Sequence, residues 1–105
     1  MKAQPIPPAA LRDPDSIEMA RIWIAEKSLH CGLNIGVYKA SGIDETRAWG
    51  IILADIARHV SNALTEDGFV SSPEIALSSI RRAMAAEMDN PSSKTSGQFG
   101  SSPRQ

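Results

Sequence analysis

Between Leu29 and Val37 every second residue is apolar: Leu29, Cys31, Leu33, Ile35 and Val37 alternate with His30, Gly32, Asn34 and Gly36. A period of two sorts the first set onto one side of an extended strand and the second set onto the other, which a helix cannot do. The preceding segment, Glu18 to Glu26, repeats the pattern with Ala20, Ile22 and Ile24 set against Met19, Arg21, Trp23 and Ala25. Two such runs this close in sequence predict an antiparallel hairpin. A loop at Lys27 and Ser28 sets Ile24 against Cys31, Ile22 against Leu33, Ala20 against Ile35, and Trp23 across from Gly32. A loop at Glu26 and Lys27 keeps the same faces in another register, and neither pair is a favoured hairpin-turn sequence.

After the connector KASGID the period changes to that of a helix. Asp44 offers a side-chain oxygen to free amides at the start of a helix beginning at Glu45. Trp49, Ile52, Leu53, Ile56, Val60, Ala63 and Leu64 then recur at helical spacing until Asp67 and Gly68 end the run. A second helix starts either at Ser71, with Glu74 three residues on, or at Ser72 followed by Pro73. Ala76, Ile80, Ala83 and Met84 form its narrower stripe, and Asp89, Asn90 and Pro91 stop it. The fold class is therefore α+β, an antiparallel β-hairpin followed by two helices (ββαα), with both helices expected on the isoleucine side of the hairpin. Met19, Trp23 and Tyr38, beside Gly32 and Gly36, are left on the other side.

The flanks read differently. Residues 1–17 carry Pro5, Pro7, Pro8 and Pro14, which suggests a proline-rich flexible arm. Residues 91–105 are serine- and glycine-rich without periodicity, which suggests a disordered tail. The span 18–90 remains as a single α+β domain, a size at which one hydrophobic core supplies only about 3–5 kcal/mol. Dimerisation that completes a larger sheet or core is expected on that ground.

Charge and composition narrow the partners. Eleven basic and twelve acidic residues leave a net charge of -1, which offers no global attraction to nucleic acid or anionic lipid. Arg81 and Arg82 stand among Glu74, Glu87 and Asp89, with no aromatic residue between them to stack on bases. No apolar run has the length of a membrane helix or an export signal, and the single Cys31 suits a reducing compartment, so the expected location is the cytoplasm.

The runs EMARIWIAEKSLHCGLNIGVY and AWGIILADIARHVSNAL resemble a small uncharacterised family of alpha-proteobacterial proteins, a domain of unknown function. The resemblance covers Met19 to Met88 and is most distinctive around Trp23 and from Ala48 to Val60. It implies a short α+β domain in a bacterial cytoplasm. No catalytic role comes with it.

Two sets of residues are candidates for function. The first is an interface built on Met19, Trp23, His30 and Tyr38, which fits a non-enzymatic assembly or protein-interaction domain, most simply a homo-oligomer. The second is a polar site of His30, Asp55 and His59, which fits a small-ligand or metal-binding protein or a minor enzyme. Asp55 and His59 are four apart on one side of a helix, and a carboxylate that orients an imidazole serves both general bases and zinc ligands. Pairs at that spacing are also ordinary on solvated helix faces, so the assembly reading is the stronger and enzymatic activity is not expected. Cys31 points away from His30 and reads as a core residue. GLNIG lies within a strand rather than ahead of a helix, so it is not a phosphate loop, and no cofactor is expected.

Overall fold

The two alternating segments pair as the hairpin their pattern predicts. The computed structural model describes residues 1–101 and places strands β1 (Ala20–Ala25) and β2 (Ser28–Ile35) antiparallel, with Ile24 opposite Leu29, Trp23 opposite His30 and Ile22 opposite Cys31. Of the two loops compatible with the pattern, the chain uses Glu26–Lys27. Both residues are left-handed, with φ of 51° and 65°, as a two-residue hairpin turn of this kind requires. Neither is glycine or asparagine, so the turn carries strain on the order of 1 kcal/mol per residue, offset by the ladder it closes. Asn34 extends that ladder by donating its amide to the Met19 carbonyl at 2.9 Å.

Helices α2 (Glu45–Glu66) and α3 (Pro73–Asp89) follow with the caps their sequences provide. The Asp44 carboxylate accepts from the Thr46 amide at 3.1 Å. The Ser72 hydroxyl accepts from the Ile75 amide at 3.2 Å, with Pro73 in the first turn. At the end of α2, Gly68 adopts φ 80°, and the amides of Gly68 and Phe69 return to the carbonyls of Thr65 and Leu64. A β-carbon would disfavour that left-handed step, which is why glycine closes the helix.

Both flanks carry short regular elements. The arm over residues 1–17 contains a one-turn helix, α1 (Pro8–Arg12), with proline in its first turn, where a missing amide costs nothing. Residues 91–105 were expected to form a disordered tail, yet Thr95–Ser101 is a strand, β3, parallel to β2 and running from Leu29 opposite Thr95 to Ile35 opposite Ser101. Residues 102–105 fall under the same expectation and lie outside the described residues. The sheet order is β1-β2-β3, and the helix pair supplies the crossover that parallel strands need. A strand of serine and glycine has no apolar period; its pairing is made by the backbone. Gly97, at φ 133°, comes so close to β2 that a β-carbon there would overlap the Cys31 carbonyl.

The centre of packing also departs from expectation. The helices were expected to cover the isoleucine side of the sheet, but Ile22 is 56% and Ile24 76% exposed, and Phe99, on the same side through its pairing with Leu33, is exposed too. Trp23, on the opposite side, is half-buried. Alternation settles which residues share a side; it carries no information on which side a helix takes. The helices instead pack on each other near their connecting turn. Ser61 is 1% and Ala76 2% exposed there, small side chains that let two backbones approach, and the Ser61 hydroxyl donates to the Ala57 carbonyl at 2.9 Å. Beyond Ile80 every residue of α3 is exposed.

Among the described residues only Ala48 and Ala76 are buried apolar side chains. The accessible surface is 8665 Å², against about 5,700 Å² for a folded monomer of this mass. The radius of gyration is 15.7 Å, against about 13 Å for a chain of this length.

Candidate functional site

Where β2 runs into α2, one carboxylate organises the connection. Glu45, in the first turn of α2, accepts the Gly36 amide at 2.9 Å, the Tyr38 amide at 3.2 Å and the Trp49 indole Nε1–H at 3.1 Å. Glu45 and Trp49 are one helical turn apart, so the indole reaches back along α2 to the same oxygen that holds Gly36. The Gly36 amide in the first place, then those of Tyr38 and the Trp49 ring, lower the Glu45 pKa below its ordinary value, with desolvation opposing them. Sequence reasoning took Glu45 only as a helix start. The four-residue spacing to Trp49 was the available signal, whereas the acceptance from Gly36 and Tyr38 depends on how the connector folds back.

The interface candidates lie around this junction and along the sheet. Met19, Trp23, His30 and Tyr38 are all half-buried. Trp23 and His30 are direct cross-strand partners, and His30 Nε2 lies 3.2 Å from the Ser28 hydroxyl on the same side of β2. Tyr38 serves the junction through its backbone: its amide binds Glu45, and its carbonyl accepts the Ser41 hydroxyl at 3.2 Å.

The polar alternative is divided between elements. His30 is on β2, while Asp55 and His59 are on an exposed stretch of α2, where Asp55 pairs with Arg58 rather than with His59. Both side chains of that pair are more than half exposed. Among the described residues, no three His, Cys, Asp or Glu side chains come together in a way that could hold a metal. Two open grooves, of about 400 and 480 Å³, lie beside Arg81 and Arg82 on α3 and across Arg21, Gly32 and Gln98 on the sheet. Every titratable side chain lining them is exposed, so neither offers the desolvated polar group that a ligand site or catalytic centre ordinarily contains.

What does distinguish the surface is apolar. Leu53, Ile56 and Val60 of α2 are exposed, as are Ile22 and Ile24 of β1. So many large apolar side chains in solvent are unusual for a monomer of this size. Among the described residues no helix is long and apolar enough to cross a membrane.

The solved structure of a chain assigned provisionally as a pyruvate dehydrogenase, from the photosynthetic bacterium Rhodopseudomonas palustrus CGA009, is similar over 93% of this chain and 94% of its own, with a TM-score of 0.68 and 24% identity. At that identity the likeness shows the fold alone. No curated protein matches the chain. A family model matches residues 3–92, which takes in the arm, the hairpin and both helices and stops short of β3. On that match the chain belongs to the family described as a domain of unknown function, DUF5076.

Proposed function

We propose that this domain is a non-enzymatic assembly module that works as a homodimer. The observation that carries the proposal is the unfinished core: two buried apolar residues among those described, and an accessible surface of 8665 Å² that exceeds the monomer expectation by roughly 3,000 Å². Obligate dimers bury about 2,000–5,000 Å² in total, so the surplus on two chains is ample to form such an interface. The exposed isoleucine side of the sheet is the surface this reading favours, with the Trp23 side already partly covered within the chain. The single unpaired cysteine, Cys31, supports the reducing cytoplasm as the place of assembly.

Sedimentation equilibrium over a wide concentration range, combined with thermal unfolding at each concentration, tests the proposal. A mass of two chains and a Tm that rises with protein concentration are expected. A single-chain mass throughout, with unfolding independent of concentration, would overturn it.

A further inference from the structure

Two apolar surfaces are left uncovered, and each has the form the other needs. On the sheet, Ile22 and Ile24 project from the side that also carries Leu29, Cys31 and Leu33. On α2, Leu53, Ile56 and Val60 recur at i, i+3 and i+7, a single stripe. The side of α2 turned to α3, marked by the buried Ser61, lies about a third of a turn further round the helix, and the stripe stays exposed. Leu53 to Val60 rises about 10 Å along the axis. Three strands span about the same distance from β1 to β3.

We infer that each surface is covered by the other in a second copy: the α2 stripe of one chain lies on the isoleucine side of its partner's sheet, and the two-fold axis returns the contact. This inference rests on the assembly reading above and adds its geometry. A sheet-to-sheet dimer would cover the isoleucines and leave the α2 stripe in water. A helix-to-helix dimer would do the reverse. The reciprocal arrangement covers both, and about a two-fold axis it closes at two chains. The chain's own helices do not seat on its isoleucines, and the junction accounts for this. Glu45 binds the Gly36 and Tyr38 amides and thereby ties the first turn of α2 to the end of β2, holding the helix in a direction that leaves both surfaces open.

Cys31, the only cysteine, shares the isoleucine side and serves as a built-in probe. Leu53→Cys, Ile56→Cys and Val60→Cys, introduced one at a time and checked for folding by circular dichroism, give α2 a second thiol. A mixture of ¹⁴N- and ¹⁵N-labelled chains is treated with a short bismaleimide, and the linked peptides are identified by mass spectrometry. Links from Cys31 to the α2 thiol between differently labelled chains, with the covalent mass doubled and the product lost in a Cys31→Ser background, are the expected result. Links dominated by Cys31 to Cys31 would show sheet on sheet, links between two α2 thiols helix on helix, and Cys31 to α2 within one chain a fold-back; each overturns the inference. So does a dimer that yields no link at any of the three positions. The solution mass is measured independently: a two-chain mass with the wrong links defeats only the geometry, whereas a single-chain mass defeats the assembly reading with it.

Discussion

The β2–α2 junction and the isoleucine side of the sheet are neighbours in a small molecule, yet they stand at opposite degrees of completion. At the junction one carboxylate satisfies two backbone amides and an indole, all within a single chain. On the sheet, Ile22 and Ile24 face solvent from an edge strand. This chain specifies its internal angles through polar contacts of its own and leaves large apolar side chains in solvent. A protein built this way has a well-defined shape before it has a core.

The hardest blow to that contrast falls on the sheet. Ile24→Asp places a charge where the proposed dimer has no partner for it, and a buried unpaired charge costs about 3 kcal/mol or more, so the dimer dissociation constant should rise on the order of a hundredfold. Sedimentation equilibrium reads it directly. If the position stays in water, the same substitution moves stability by no more than about 0.5 kcal/mol and leaves the mass unchanged, and the unfinished face is then merely a surface.

Next in size is the one place where the chain does close on itself. Ala76→Leu forces a larger side chain into the α2–α3 contact, where overpacking costs about 1–3 kcal/mol. Urea unfolding at fixed protein concentration should show a lower midpoint. An unchanged midpoint would mean that the helices are free to part, and that the contact at Ser61 and Ala76 does not anchor the pair.

The junction is expected to respond to acid. Because the Glu45 pKa is lowered in the folded chain, chiefly by the Gly36 amide, its contribution is fully present above the ordinary carboxyl value of 4.5 and is lost as pH falls through the folded value. Wild-type stability should therefore exceed that of Glu45→Gln at neutral pH, and the gap should narrow below pH 4.5, as read by thermal unfolding across the acid range. A gap that does not vary with pH would show that the carboxylate charge is not what holds the connector.

The smallest effect is expected at the exposed ion pair. Asp55→Ala removes a contact with Arg58 in which both partners are largely in water, and pairs of that kind contribute at most about 1 kcal/mol. A shift within about 0.5 kcal/mol in chemical denaturation is expected. A larger one would show that Asp55 makes a structural contribution beyond its contact with Arg58.

Much of this was legible in the residues, and the limits have physical causes. Asp44, Ser72 and Gly68 announced the helix ends because capping is a local affair between a side chain and amides two or three residues away. The two sides of the hairpin were legible because alternation is local as well. The register was not, since Glu26 and Lys27 carry no preference for the left-handed conformation they adopt. Nor was β3, whose parallel pairing with a segment more than sixty residues earlier runs through backbone groups that every residue possesses. Of the candidate residues, Met19, Trp23 and Tyr38 stood out on sequence grounds because they are apolar or aromatic on the polar side of the alternation, and His30 because it shares that side. The work of Glu45 could not, since its partners at Gly36 and Tyr38 are brought to it by a loop. Which side of the sheet lies open could not be read either, because it depends on where a helix is aimed.

The edge position of β1 bears on the life of the newly made chain. Among the described residues no strand pairs with its outer edge, and ARIWIA contains no proline and only one charge to discourage another strand from joining it. Such an edge is a template for indiscriminate strand addition in a newly made chain, and the pairing proposed above would have to compete with it. Strand addition continues without limit and so gains more from concentration than the two-chain pairing proposed above. Slow, dilute synthesis with gentle mixing should accordingly recover more usable protein than rapid refolding from a concentrated denatured stock.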